Sequence, residues 1–414
     1  MLFLLLLFFL SSSSSDHDNE AVEEIEMKYL INESLRGWSN INTPPGNGNR
    51  CLDNNECTLF RVHRHLNEWW ISYESIDVVS VLKPSRPEAM KLMLIMLHYM
   101  YGSEIPDCLD FIINTDDGRT NTGAGPVLGF ASHHRKMKMI AVPDFTFVSF
   151  PETYQYVSYP SLYESLLRMA EVPKYDHVNK AVFIGNVEQP ARASWMKKKD
   201  ISEYVLYKNI RVENNDEAVR ERFTPLTKVC LNRYLLHMTG MTYSSRLKYL
   251  MLCNSTVIWL DNWMEIDENK VVPEWSEWWY PLAKPGVHFL LARNIDDVIK
   301  HVQALRENAT LASYIADNGF RLAKRIFRMR YVTNYWKHFF IEYKRRMTLV
   351  ERCGDPLTFP PKGSYPLVNA VLKNIGVGFE SGRKLLPAPW EDRGNEVNNP
   401  WLDVKNSTAL NKKT

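Results

Sequence analysis

The sequence carries almost no surplus of either charge: 50 Lys and Arg against 48 Asp and Glu leave a formal net charge of +2. A chain built around nucleic acid shows a strong basic excess, so that role is excluded and any anion site has to be local. Long apolar runs are missing too. The one candidate, Met1 to Leu10, falls far short of the ~20 residues that span a bilayer, so no stable membrane span is expected. There is no internal repeat. The body of the chain has no Asp-x-Asp pair of the kind that holds a divalent cation, since Asp16-His17-Asp18 lies in the leading segment. No metal ion is therefore expected.

What is present is a globular composition. Hydrophobic residues make up 45% and charged residues 24%, and at roughly 150 residues per domain the length predicts about two domains. Met1 to Leu10 is followed by five serines and then by Asp16. Small residues after a short apolar run are the pattern of a cleaved secretory signal over 1–15, although no Lys or Arg precedes the run. Such a route leads through an oxidising compartment, where the six cysteines can pair. Six allow fifteen connectivities, and composition selects none of them. Sequons at Asn32, Asn254, Asn308 and Asn406 agree with a lumenal route.

Residues 16–50 are polar and include Pro44, Pro45, Gly46 and Gly48, which predicts a flexible leading segment. Pro87 to Tyr101 is a Met- and Leu-rich helix closed by Gly102. Short apolar runs at Leu109 to Ile113 and Met139 to Val142 read as buried strands, and Ser161 to Val172 as a helix. After Ala181 the two kinds alternate. Strands are predicted at Val182 to Ile184, Tyr204 to Tyr207, Tyr234 to Met238, Thr256 to Leu260 and His288 to Leu291. Helices are predicted after Pro190 and at Ser244 to Leu252, Asp296 to Leu305 and Leu311 to Phe327. This alternation predicts an α/β fold with a parallel sheet covered on both faces, and ligands bind such sheets at the carboxyl ends of the strands. A last helix, about Val332 to Arg346, is aromatic on one side and basic on the other. Beyond Cys353 the chain turns Pro-, Gly- and Asn-rich and reads as an extended tail.

Three stretches can carry chemistry. In Ile112-Ile113-Asn114-Thr115-Asp116-Asp117-Gly118 two carboxylates follow a short strand, where a rigid scaffold can hold a base at the lip of a cleft; the same residues also make an ordinary acidic turn. Phe183-Ile184-Gly185-Asn186, followed by Pro190 and Arg192, is a strand, a small-residue turn and a helix start. Amides at a helix start attract phosphate, and a glycine allows close approach. From Tyr234 to Cys253 a strand leads into Gly240, and Ser244 or Ser245 can cap a helix whose first turn carries Arg246. A pyrophosphate at that helix start would meet a dipole and a guanidinium fork.

In this order the three stretches resemble glycosyltransferase family 90, the capsule-associated family that also contains the protein O-glucosyltransferases of the rumi type. The resemblance runs from Cys108 to Tyr343. It is strongest from Tyr234 through Glu274-Trp275-Ser276-Glu277-Trp278-Trp279-Tyr280-Pro281-Leu282 to Lys284-Pro285 and Val287-His288-Phe289. It implies a GT-B-like α/β fold, with two Rossmann-like domains facing each other across a cleft. The acceptor side would occupy 51–177 and the nucleotide-sugar side 178–328, with a helix over 329–352 packed back on both and a tail over 353–414. Position by position, Asp117 matches the family's catalytic aspartate, with Asp116 as the neighbouring alternative. Gly185, Asn186 and Arg192 match the donor-side loop, Arg246 matches an arginine that binds the nucleotide's phosphates, and Gly240, Ser245 and Glu277 fall in the pocket. The resemblance also implies a disulfide between Cys230 and Cys253. Where the rumi branch carries arginines in the donor loop this chain has Ile184 and Val187, which leaves the sugar open.

The implied activity is an inverting, metal-independent transfer of a hexose or pentose, glucose or xylose foremost, from a UDP-sugar to a hydroxyl of a protein or glycan. Its expected place is the secretory-pathway lumen, endoplasmic reticulum or Golgi, or outside the cell. Asp117 would deprotonate the acceptor, and Arg246 and Arg192 would hold the leaving diphosphate with no cofactor. The expected partners are the nucleotide-sugar donor and the acceptor, bound by a monomer, with no nucleic acid. Two rival readings use the same residues. One is a non-catalytic lumenal carbohydrate-binding protein of the same fold; the other is a glycoside hydrolase, which needs a second carboxylate across the bond.

Overall fold

The computed structural model describes residues 16–41, 59–75, 85–116, 126–134, 139–148, 158–175, 179–197, 201–210, 224–267, 270–347 and 364–367. The chain opens with a helix, α1 (Asp16–Ser34), and a hairpin of β1 (Leu59–His65) and β2 (Glu68–Ser75). Then come α2 (Ser85–Tyr101), β3 (Leu109–Asn114), β4 (Val127–Gly129), β5 (Ser132–His133), β6 (Ile140–Ala141) and α3 (Tyr159–Ala170). The second half holds β7 (Ala181–Gly185), α4 (Pro190–Met196), β8 (Val205–Asn209), β9 (Tyr234–Met238), α5 (Leu247–Met251) and β10 (Thr256–Leu260). It continues with β11 (Trp263–Asp267), β12 (Lys270–Pro273), β13 (Trp275–Ser276) and β14 (Leu290–Ala292). Helices α6 (Ile295–Glu307), α7 (Ala309–Ile326) and α8 (Met329–Arg346) follow, with a short β15 (Tyr365–Pro366) after them. No helix among the described residues is long and apolar enough to cross a membrane.

The strand-helix alternation after Ala181 produces a five-stranded sheet, β14-β10-β9-β7-β8, parallel throughout. Its inner strands β10 and β9 are buried along their length because both faces are covered, while the edge strand β8 is exposed beyond Val205. Leu236, Met238, Ile258 and Leu260 pack with Val298, Val302 and Leu305 of α6, and Leu235 and Val257 face the main core with Leu247 and Leu250 of α5. The other large sheet, β15-β2-β1-β3-β4-β6, is mixed: β1 pairs antiparallel with β2 and β3, and only β3, β4 and β6 run parallel. The Rossmann-like pattern expected over 51–177 is thus confined to three strands. A two-residue turn at Leu66 and Asn67 can only return the chain antiparallel, and both residues take positive φ.

The flexible leading segment expected over 16–50 is corrected by α1. Its Glu23, Glu26, Met27, Leu30 and Ile31 are buried at helical spacing. Arg328 and Arg325 pair with the two glutamates, and Ser34 Oγ meets Tyr335 Oη on α8 at 3.0 Å. The last helix is the aromatic keel of the main core. Phe340 stacks on Phe111 of β3 at 5.3 Å, and Tyr335 lies 4.5 Å from Trp278 in the acidic-aromatic segment.

Two fasteners join the halves. β5 pairs with β13, His133 opposite Trp275. Lys248 of α5 donates to both carboxylate oxygens of Asp144 at 2.9 Å, with both side chains buried. The Cys230–Cys253 disulfide forms, with Cα atoms 4.7 Å apart. Lys174 Nζ donates to the carbonyl oxygens of the same two cysteines, at 2.8 and 2.6 Å.

Candidate functional site

In the parallel sheet β7 ends at Gly185 and β9 at Met238, and the turns that follow lie side by side at the carboxyl edge. Arg192, on α4, reaches across both. Its Nε donates to Thr239 O at 2.8 Å, Nη1 to Asn186 O at 2.9 Å and Nη2 to Met238 O at 3.1 Å. All three guanidinium nitrogens are therefore engaged by main-chain carbonyls. Arg192 holds the site's backbone with three of its five N–H bonds, which leaves two toward a ligand. Asn186, between the two, also accepts the Glu188 amide with its side chain at 2.8 Å.

Gly240 opens the second turn. A β-carbon there would stand 2.7 Å from Tyr243 O, a main-chain atom that cannot yield, so the turn requires glycine. Thr239 Oγ1 closes it by donating to Thr242 O at 2.7 Å. Ser245 is half-buried just beyond. The helix expected from Ser244 begins only at Leu247, is five residues long, and has Arg246 at its N-cap position with no side-chain cap. A helix so short has little dipole to offer, so the anion-binding capacity rests on the arginine itself.

Arg246 differs from Arg192 in what it touches. Its guanidinium lies 4.9 Å from the ring centroid of Phe183 and close against Gly185. Arg192 lies 5.4 Å from the same ring. Among the described residues Arg246 has no side-chain hydrogen bond and no ion pair. Burial lowers its pKa to about 10, and burial together with Arg246 lowers that of Arg192 to about 9. Both stay cationic at neutral pH. His237, buried on β9, is held well below its ordinary value by burial, then by Arg246 and Arg192. Two cations and a neutral imidazole thus meet with no carboxylate beside them among the described residues, an arrangement complementary to an anion.

The carboxylates lie elsewhere. Asp116 is buried just past β3, its amide donating to Asn114 Oδ1 at 2.9 Å; Asp117 lies outside the described residues. Glu277, expected in the pocket, sits by the buried Lys248–Asp144 pair. It accepts from Trp279 Nε1 at 3.2 Å, and burial pushes its carboxyl up. Reading the sequence missed Asp261, at the end of β10. It is buried, accepts from Trp259 Nε1 at 3.0 Å and from the Asn262 amide at 2.7 Å, and burial raises it to about 7. Its signal was available, an acid closing an apolar strand, as at Asp116. Phe183 and His237 carried none beyond one polar residue inside an apolar strand.

The sequence model described as glycosyl transferase family 90 matches residues 85–353, more than half of the chain. Protein O-glucosyltransferase 1 of Rattus norvegicus is 32% identical over 117 residues, covering 28% of this chain and 27% of that one. The protein of the same name from Homo sapiens is 30% identical over 117 residues, with the same shares. The O-glucosyltransferase rumi homolog of Aedes aegypti is 30% identical over 142 residues, or 34% of this chain and 30% of that one. The match spans less than a third of each relative's length. Among solved structures, Anabaena Alr3699/HepE in complex with UDP-glucose covers 44% of each chain at 12% identity and a TM-score of 0.27, too faint a likeness to argue from.

Proposed function

Given that the chain belongs to glycosyl transferase family 90, we propose that it transfers a sugar from a UDP-sugar to a hydroxyl group of a protein or glycan acceptor. The observation that carries this reading is Arg246: a charged guanidinium with no acceptor among the described residues, at the carboxyl edge of a parallel sheet, against a residue without a side chain. The names of the relatives favour glucose as the sugar, with xylose the other candidate. The two sheets would form a GT-B-like pair, with the acceptor on the first and the nucleotide on the second. The setting would be the secretory-pathway lumen.

In this mechanism Asp117, or Asp116 beside it, takes the acceptor proton. The acceptor oxygen bonds to the anomeric carbon as the bond to the diphosphate breaks on the opposite face, inverting the configuration. The leaving diphosphate carries off the electron pair, and Arg246 meets the charge that develops. Arg192 keeps the carrier turns in place. The cationic cluster supplies this stabilisation without a metal ion.

A screen of nucleotide sugars for donor hydrolysis, followed by mass analysis of modified acceptors, tests the activity. Asp117→Asn should abolish transfer while UDP affinity is nearly kept; turnover in that variant would remove the assignment of the base. Loss of transfer on chelation, restored by manganese, would overturn metal independence. A carbohydrate-binding protein of the same fold would ignore UDP altogether.

A further inference from the structure

His237 is the polar member of β9, whose other residues are Tyr234, Leu235, Leu236 and Met238. Its side chain keeps 2% of its surface open and packs edge-on against Trp259 of β10, ring centroids 5.5 Å apart. Among the described residues its ring has no hydrogen-bond partner. A nearly buried imidazole without a protein partner keeps a donor and an acceptor to offer a ligand. His288, half-buried, does have a partner: its Nδ1 accepts the Lys284 amide at 2.9 Å.

The charged groups around His237 come from two elements besides its own strand: Arg246 from the turn before α5, and Arg192 from α4. From β10 it meets only the Trp259 ring, whose Nε1 is given to Asp261. While the site holds no anion, both arginines oppose a proton on the ring. A diphosphate brought to Arg246 reverses that field. A unit charge a few ångströms away in a half-buried site changes proton affinity by roughly a hundredfold, and a diphosphate carries more than one.

We propose that His237 is a third group of the anion site and that a nucleoside diphosphate binds together with a proton, which the imidazole takes up to donate a hydrogen bond to a phosphate oxygen. The inference rests on the reading that Arg246 receives a nucleoside diphosphate. It assigns His237 a positioning role that ties donor binding to pH: affinity rises as pH falls through neutrality, and departure of the diphosphate releases the proton.

The test is calorimetric titration of the full chain with UDP at one pH near 7, in buffers of different ionisation enthalpy, for the unaltered protein and for His237→Gln. The slope of heat against buffer enthalpy counts the protons taken up, and the variant subtracts the share that belongs to UDP itself. Uptake should be larger in the unaltered protein by a substantial fraction of a proton per UDP, and the variant should bind roughly tenfold more weakly. Equal uptake in the two proteins overturns the inference and leaves the diphosphate site standing. Absence of UDP binding by the unaltered protein overturns both. Should the variant not fold, the imidazole carbon resonances of the unaltered protein decide: His237 should move to the imidazolium position on adding UDP, and a signal that stays neutral overturns the inference.

Discussion

A β-carbon on Gly185 would stand 2.6 Å from Nη2 of Arg246. The glycine's φ lies outside the left-handed region, so its backbone would accept another residue; what it cannot accept is the volume. Gly185→Ala should therefore displace the guanidinium tip and leave the fold alone. We expect UDP affinity to fall about tenfold, equivalent to ~1.4 kcal/mol, with the melting temperature unchanged. Unaltered affinity in a titration would show that the close approach has no bearing on the ligand.

The two arginines over Phe183 should fail in opposite ways. Arg192→Ala strands three main-chain carbonyls at the edge of the sheet, so it should cost stability, about 2–3 kcal/mol by denaturant unfolding. Arg246→Ala removes a cation that has no acceptor among the described residues, so stability should hold while UDP binding is lost. Equal stability losses in the two variants would contradict this division of roles.

Asp261 gives the protein an alkaline liability. Its carboxyl is raised to about 7 in the folded state by burial, against roughly 3.9 unfolded. The folded form holds its proton more tightly, so the contribution is present at acid pH and is lost as pH rises from about 4 through 7, by at most ~4 kcal/mol. Asp261→Asn cannot ionise and should flatten the change in melting temperature between pH 5 and pH 8. An unchanged slope would mean that the group titrates normally.

Much of the second half was legible because strands and helices alternate there at lengths that admit one arrangement, and β7, β9 and β10 fall within a residue or two of their apolar runs. The Cys230–Cys253 pair followed from resemblance, not from spacing. The first half was harder. The acidic residues of α1 obscured an apolar stripe that only Arg325 and Arg328, some three hundred residues later, make sense of. The strands β1 and β2 carry Arg61, His63, Arg64 and Glu74 in a run that does not read as a strand. At the site, the order of residues placed Gly185, Arg192, Gly240 and Arg246 together. It could not reveal that one arginine grips carbonyls and the other nothing, because both stand near a turn and only geometry separates them. The surroundings of Glu277 were hidden for the same reason, since the Asp144 beside it is more than a hundred residues away in sequence.

The strand bridge from β5 to β13 and the buried Lys248–Asp144 pair both cross from one half of the molecule to the other. Pulling that pair apart would separate two buried charges, at a cost of several kcal/mol. Any parting of the two halves has to break both contacts, so the described residues should move as one body.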